Sequence, residues 1–193
     1  EFVHLHVHSP FSFLDGASGI QQLVAKAAEF GMSAMAVTDH DNVCATPEFF
    51  QVATALGVKP IQGVEVTCAD QGGHLTLLAR GQVGYAALCR ALTSAHLDNQ
   101  RLKPALDLAR FPVDARGEVI ALTGCRRGRV PAALLAGDRA GAEHFLRRLI
   151  DVFGRDVVFV ELDGLRLPGA RQRNEMLVDL AEATGTGYVV TNN

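Results

Sequence analysis

The chain has 193 residues and a hydrophobic content of 48%, which suit one domain with a sizeable core. Its formal net charge of −3 lacks the positive excess of an autonomous nucleic-acid-binding domain, so any contact with DNA would have to be local or supplied by a neighbouring domain. No apolar run approaches the roughly 20 residues of a membrane span, so no membrane partner is expected. The four cysteines show no CxxC pairing and are typical of reduced thiols in a cytoplasmic protein.

The opening segment, residues 2–8, alternates apolar residues with His4, His6 and His8. This period of two predicts a strand with the three histidines on one face. Burying three imidazoles without partners costs much free energy, and a metal ion would compensate because neutral imidazole is the commonest metal ligand. The alternative is a solvated edge strand whose histidines are incidental.

Strand-like and helix-like patterns then alternate along the chain. Compact apolar runs predict strands at 34–38, 59–66, 75–80, 119–122, 157–162 and 188–191. Apolar residues at helical spacing predict helices at 20–28, 46–56, 84–96, 130–135, 140–153 and 174–184, with a shorter one around 105–110. Together with the opening segment, this gives about seven strands in an α/β fold.

Two architectures fit this alternation, an open doubly wound sheet and a barrel. Polar residues lie at or just past the C-terminal ends of the predicted strands, where barrel enzymes build their sites. No GxGxxG or Walker-type glycine loop follows the first strand, so a doubly wound fold that binds a nucleotide is the weaker choice. The sequence therefore favours a barrel.

The segment between Glu65 and His74 contains only eight residues, too few for a helical crossover between parallel strands. Residues 70–73 have the sequence Asp-Gln-Gly-Gly, which favours a turn. We therefore predict an antiparallel hairpin. Such a hairpin brings His74 to the same end of the sheet as Glu65.

Seven side chains with nitrogen, oxygen or sulfur donors are expected to meet at this end of the sheet. Such a set suits zinc, or manganese and iron where carboxylates dominate, and it is large enough for two to three divalent ions. Glu65 can bridge two ions, as carboxylates do in multi-metal hydrolytic sites, and we expect His8, His40 and Glu65 to be the catalytic members. The candidate metal ligands are His6, His8, Asp15, His40, Glu65, His74 and Cys125.

Several of these residues also have an ordinary structural interpretation. His40 could cap the helix that follows it, Asp15 precedes a glycine as in many turns, and Glu65 could be a surface carboxylate. A lone cysteine such as Cys125 is more often an inert buried thiol than a ligand. A metal site is therefore expected only if the whole set meets in one place.

Other polar residues are expected near the set but outside it. Asp39 is predicted to orient a ligand without binding the metal itself. His96 is a substitute ligand if the hairpin is wrong, although a role at the end of its helix is preferred. Arg126, Arg127 and Arg129 are expected to be solvated, or to attract a phosphate to the rim.

Five ordered motifs span the chain. They are Phe2-Val3-His4-Leu5-His6-Val7-His8-Ser9 with Leu14-Asp15-Gly16, then Thr38-Asp39-His40-Asp41-Asn42, Gly63-Val64-Glu65, His74-Leu75-Thr76-Leu77-Leu78-Ala79, and Leu122-Thr123-Gly124-Cys125. Together they resemble the polymerase and histidinol phosphatase (PHP) domain, most closely the copy at the N-terminus of bacterial family C polymerases, the DNA polymerase III alpha subunits. Two further segments, Ala95-His96-Leu97-Asp98-Asn99 and Thr191-Asn192-Asn193, resemble the error-prone branch.

This resemblance implies that residues 1–193 form one PHP domain, excised from or N-terminal to a longer polymerase chain. The family fold is a distorted (β/α)7 barrel that binds up to three metal ions through nine ligands, and the seven candidates above match seven of them. The family's last two ligands come from an Asp-x-His sequence. Asn193 stands where that Asp would be, and an amide is a weaker ligand than a carboxylate.

The resemblance also implies a function. Members that keep the ligands hydrolyse phosphoesters, including metal-dependent 3′–5′ exonuclease proofreading, so the expected partners are the rest of the polymerase chain and a DNA 3′ end. One alternative is a catalytically silent domain whose metals stabilise the polymerase. Another is a free-standing histidinol-phosphate phosphatase.

Overall fold

The computed structural model describes residues 2–69, 72–164 and 167–192. Within these ranges six strands form one sheet in sequence order, and six α-helices connect or flank them. The strands are β1 (Ala34–Val37), β2 (Lys59–Thr67), β3 (His74–Ala79), β4 (Val119–Leu122), β5 (Val158–Asp163) and β6 (Gly187–Thr191). The helices are α1 (Ile20–Glu29), α2 (Thr46–Ala55), α3 (Gln82–Leu97), α4 (Arg129–Leu135), α5 (Arg139–Phe153) and α6 (Ala170–Thr184).

The sheet is mixed, with parallel pairs at both sides and an antiparallel centre. Strand β1 runs parallel to β2, and β4, β5 and β6 run parallel to one another. Strand β3 is antiparallel to both β2 and β4. The predicted hairpin is confirmed, because Thr67 pairs with His74 across β2 and β3. Residues 70 and 71 of the predicted turn lie outside the described ranges.

The sheet curls around a small apolar cluster, the inner cluster. It is built from one or two residues of every strand together with Leu5: Leu5, Ala36, Ile61, Leu78, Ile120, Leu122, Phe159 and Val189. The first strand, β1, and the last strand, β6, can contribute to the same cluster only if the sheet bends toward a barrel. The described residues thus form a curled half-barrel, and closure into a seven-stranded barrel stays a prediction.

The opening segment differs from the predicted regular strand. It lies along β1, where His4 O accepts from Ala36 N at 2.7 Å and Val7 O accepts from Thr38 N at 2.8 Å. The segment advances by three residues, from His4 to Val7, while the neighbouring chain advances by two, from Ala36 to Thr38 just past β1, which interrupts a regular ladder. Only an isolated bridge between His4 and Met35 is formed, and the simple alternation of the three histidines does not persist.

The main core lies between the sheet and helices α3 to α6. Helix α5 shows why: its buried residues recur at the spacing of one helical face, as in Ala142, Phe145, Leu146, Leu149 and Phe153. A second core packs α1 and α2 onto β1 through Val24, Phe49 and Met35. Among the described residues, no helix combines the length and the apolar character needed to cross a bilayer.

Candidate metal centre

A layer of polar side chains lies next to the inner cluster on the same face of the sheet. Residues two apart on a strand lie on the same face of the sheet. Thr76 therefore shares a face with Leu78, Glu161 with Phe159, and Thr191 with Val189. Glu65 occupies the corresponding place on β2, where it pairs with Thr76. Its side chain is completely buried.

Glu65 is the centre of this layer. Its carboxylate lies 3.5 Å from Nε2 of His6, 3.3 Å from Nε2 of His8, 3.1 Å from Nδ1 of His40 and 3.1 Å from Nδ1 of His74. Burial opposes the ionisation of Glu65, but its contacts with His6, His74 and His8 outweigh that effect and hold its pKa well below the usual range. Glu65 is thus an anion surrounded by imidazoles, not a surface carboxylate.

Asp15 and Cys125 lie at the edge of the same cluster. Asp15 Oδ2 is 2.8 Å from Nε2 of His40, a hydrogen bond that lowers the pKa of Asp15, and 3.9 Å from Nε2 of His8. Cys125 Sγ is 3.8 Å from Oε1 of Glu65. All seven predicted ligands therefore lie at one end of the sheet.

Six of the seven form three overlapping groups whose donor atoms are within 4.8 Å of one another and could hold a metal ion. The groups are His6, His8 and Glu65; His8, Asp15 and His40; and His40, Glu65 and His74. Each of His8, His40 and Glu65 belongs to two groups, so these three residues connect the set. Cys125 lies beside the set without belonging to a group in the described part of the chain.

Three buried donor atoms in the cluster fit a cation because they lack hydrogen bonds within the described structure: Nε2 of His6, Nε2 of His8 and Oε2 of Glu65. Buried polar atoms are normally hydrogen-bonded. Imidazole nitrogens and a carboxylate oxygen that converge without such bonds are a suitable donor set for a divalent ion of the zinc, manganese or iron type.

Asp39 holds His8 in place through Ser12, as the sequence predicts. The Asp39 carboxylate accepts from Ser9 N at 2.7 Å, Ser9 Oγ at 2.6 Å and Ser12 Oγ at 2.7 Å. Since the Ser12 hydroxyl donates to Asp39, its lone pairs accept from Nδ1 of His8 and from the backbone N–H of His40, both at 3.0 Å. His8 therefore carries a proton at Nδ1 and points Nε2 into the cluster.

Glu161 is a residue of the site that sequence reasoning missed. It is buried on β5, and its Oε1 lies 2.6 Å from Nδ1 of His6 and accepts from Thr191 Oγ1 at 2.6 Å. Burial opposes protonation of His6, but the charge and hydrogen bond of Glu161 and the proximity of Glu65 outweigh it and raise the pKa of His6 to about 10. The available signal was an acid in the otherwise apolar run Val158–Leu162.

The remaining candidates lie outside the three groups. His4 is in none of them, and burial lowers its pKa. His96 lies in the last turn of α3, and its Nε2 is 2.7 Å from the carbonyl oxygen of Asp41 in the loop that follows β1. Arg126 and Arg127 are exposed and line the mouth of the cluster, whereas Arg129 packs over the ring of Phe145 at 5.8 Å. Asn193 lies outside the described residues.

Relatives of this chain are much longer proteins. The whole chain is 47% identical to an error-prone DNA polymerase of Symbiobacterium thermophilum and covers 19% of it. Over 93% of its length the chain is 41% identical to an error-prone DNA polymerase of Cutibacterium acnes, and over its whole length 37% identical to the DNA polymerase III subunit alpha of Thermus aquaticus, covering 17% of each. The chain thus spans less than a fifth of the length of these relatives.

Solved structures support the fold. An amidohydrolase from Chromobacterium violaceum matches 99% of this chain and 86% of its own with a TM-score of 0.60 at 18% identity. A protein from Bifidobacterium adolescentis described as a metal-dependent phosphoesterase matches 98% of this chain and 86% of its own with a TM-score of 0.58 at 14% identity. The family profile described as PHP domain matches residues 4–164, most of the chain. The chain therefore belongs to the PHP domain family.

Proposed function

We propose that this chain is a metal-dependent phosphoesterase of the 3′–5′ exonuclease, or editing, type, acting within an error-prone DNA polymerase III alpha-like protein. The observation that carries the proposal is the buried Glu65 carboxylate among four imidazoles, with three donor atoms that make no hydrogen bond in the described structure. The similarity to DNA polymerases along the whole chain supports a place within a DNA polymerase III alpha-like protein. In this proposal residues 1–193 are the PHP domain of a cytoplasmic, DNA-processing protein.

The three donor groups together with Cys125 would hold two or three divalent ions, of zinc, manganese or iron. When bound, such ions supply a nucleophilic water at neutral pH and offset the negative charge on phosphoryl oxygens. The residues proposed as catalytic are His8, His40 and Glu65, because each contributes to two groups. Arg126 and Arg127 at the mouth would attract a phosphate of the DNA 3′ end.

In this proposal, the surrounding side chains contribute to the chemistry by orienting the metal ligands. Ser12 and Asp39 fix the proton of His8 at Nδ1, so its other nitrogen stays available. His40 and Asp15 are only partly buried, with 24% and 45% of their side-chain surfaces exposed, and therefore lie where a substrate can reach. These two residues define the open side of the cluster.

A second candidate is a structural domain whose ions stabilise a polymerase without turnover. The observation that favours it is the complete burial of His6 and Glu65, since an ion held by these two residues would be out of reach of a substrate. Buried ions contribute to folding free energy because they bind the native state and not the unfolded chain.

An exonuclease assay separates the two candidates. The intact protein is incubated with manganese or zinc and a primer carrying a 3′ mismatch, and the release of 3′ nucleotides is followed. His8→Ala is expected to abolish release, whereas His144→Ala, at an exposed histidine on α5, is expected to leave it unchanged. Stoichiometric metal binding without cleavage that depends on His8 would reject the catalytic proposal and leave the structural one.

A further inference from the structure

Glu161 is a buried acid with an unusual number of side-chain partners. Only 2% of its surface is exposed, and it lies in a strand whose neighbouring residues are apolar. Its Oε1 contacts Nδ1 of His6 and Thr191 Oγ1, each at 2.6 Å, and its Oε2 contacts Thr76 Oγ1 at 3.5 Å. Its backbone N–H donates to Thr123 Oγ1 at 3.0 Å. Side chains from β3, from β6 and from the opening segment thus meet at the carboxylate of Glu161 on β5.

The contact with His6 fixes which nitrogen of that imidazole is available. A carboxylate accepts hydrogen bonds and does not donate them when ionised, so Nδ1 of His6 carries the proton that faces Glu161. The opposite nitrogen, Nε2, makes no hydrogen bond in the described structure and lies 3.5 Å from Oε1 of Glu65. His6 is completely buried, so water does not compete for this nitrogen.

We propose that Glu161 is a positioning residue for the candidate metal centre: it holds the proton of His6 at Nδ1 and the ring in place, so that Nε2 presents its lone pair to a cation. The inference rests on the proposed function, because it assumes that His6 binds metal. Glu161 does not belong to any of the three donor groups of the described residues and acts through His6. A carboxylate in this position also increases the basicity of the ligand nitrogen.

A purely structural role is the competing explanation, since Glu161 also ties β3, β5 and β6 together through the two threonines. The two roles differ in what happens to metal binding when His6 is already absent. If Glu161 acts only through His6, replacing Glu161 should not change the metal affinity of a protein that already lacks His6. A structural residue weakens the whole site regardless of His6.

The test is a double-mutant cycle on zinc affinity in the intact protein, with zinc alone as the probe and a chromophoric chelator as competitor. Glu161→Gln keeps the shape of the side chain but removes its charge, and its amide N–H₂ can donate to Nδ1 and leave the proton of His6 on Nε2. We expect zinc binding about 10- to 100-fold weaker. In the His6→Ala background, the same substitution is expected to have no further effect. Glu175→Gln, at an exposed glutamate on α6, is the matched control and should match the wild type.

The outcomes are distinguishable. A wild-type protein that binds none of zinc, manganese and iron would reject the proposed function. A wild type that binds zinc, with Glu161→Gln binding equally well or losing the same factor in the His6→Ala background, would overturn only the inference about Glu161.

Nitrogen-15 NMR of the zinc-loaded wild type provides the second measurement and does not depend on whether Glu161→Gln folds. We expect the His6 ring to show a proton on Nδ1 and a metal-bound Nε2. A metal-bound or unprotonated Nδ1 would overturn the inference.

Discussion

Replacing Glu65 with glutamine should remove more of the metal site than any other change of a carboxylate to an amide. Glu65 belongs to two of the three donor groups, whereas Asp15 belongs to one. An amide oxygen is neutral and a weaker ligand for a divalent ion. We therefore expect Glu65→Gln to leave one group intact and Asp15→Asn to leave two.

The size of the effect on thermal stability follows from linkage. A ligand present at 100 times its Kd stabilises the native state by about 2.7 kcal/mol for each site. For a chain of this length, each kcal/mol corresponds to about 2–4 °C in Tm, so each site should raise Tm by about 5–11 °C when filled. The quantity to compare between variants is this metal-induced increase, because Glu65→Gln also changes the charge balance of the metal-free protein.

The assay combines metal content per chain with the change in Tm on adding zinc or manganese. The wild type should show the largest increase, Asp15→Asn an intermediate one and Glu65→Gln the smallest. Equal metal content and an equal increase in Tm for the wild type and Glu65→Gln would show that Glu65 is not a ligand shared by two groups, as would a greater loss in Asp15→Asn than in Glu65→Gln.

Four further predictions concern the loop at Gly16, the pH dependence of zinc binding, the pH dependence of stability without metal, and chelation. A β-carbon at Gly16 would overlap the carbonyl oxygen of Ser9. Gly16→Ala should therefore lower the free energy of unfolding by about 1–3 kcal/mol in chemical denaturation and weaken metal binding. The control Gly19→Ala should do neither, because nothing lies within 4 Å of a β-carbon at Gly19. The pKa of His6 is raised to about 10, so zinc must displace a proton from His6 at neutral pH. The affinity for zinc should therefore rise as the pH increases toward 10. Calorimetry in buffers of different ionisation enthalpy should detect the release of at least one proton on zinc binding. In the metal-free protein the raised pKa of His6 stabilises the fold, fully below a pH of about 6.5, and this contribution should be lost as the pH rises through about 10. Measurements of the free energy of unfolding across this pH range would check this. Adding a chelator to the metal-loaded wild type should lower Tm by the metal-induced increase, and an unchanged Tm would contradict metal-linked stability.

The sequence predicts the central part of the site because a geometric constraint is available for it. The short connection between Glu65 and His74 allows only a hairpin, and the structure places the two side chains 3.1 Å apart. The strand ends predicted for His8 and His40 bring these residues to the same carboxylate. Periodicity and loop length therefore determine most of the cluster.

The sequence is less informative where a partner is distant or a ladder is irregular. Glu161 is 155 residues from His6 in sequence, and one acid in an apolar strand does not identify its partner. The opening segment alternates like a strand, but Val7 N donates to Thr38 Oγ1 instead of to a backbone carbonyl. Such a side-chain substitution for a ladder bond cannot be inferred from hydrophobic periodicity.

His8, His40 and Glu65 are proposed to surround divalent cations. The most direct test is anomalous X-ray diffraction at the absorption edge of the bound metal, on crystals of the zinc- or manganese-loaded protein. We expect at least two anomalous peaks within coordination distance of these three side chains. Peaks located only at surface histidines such as His96 or His144, or no peak at all with the metal in excess, would contradict it.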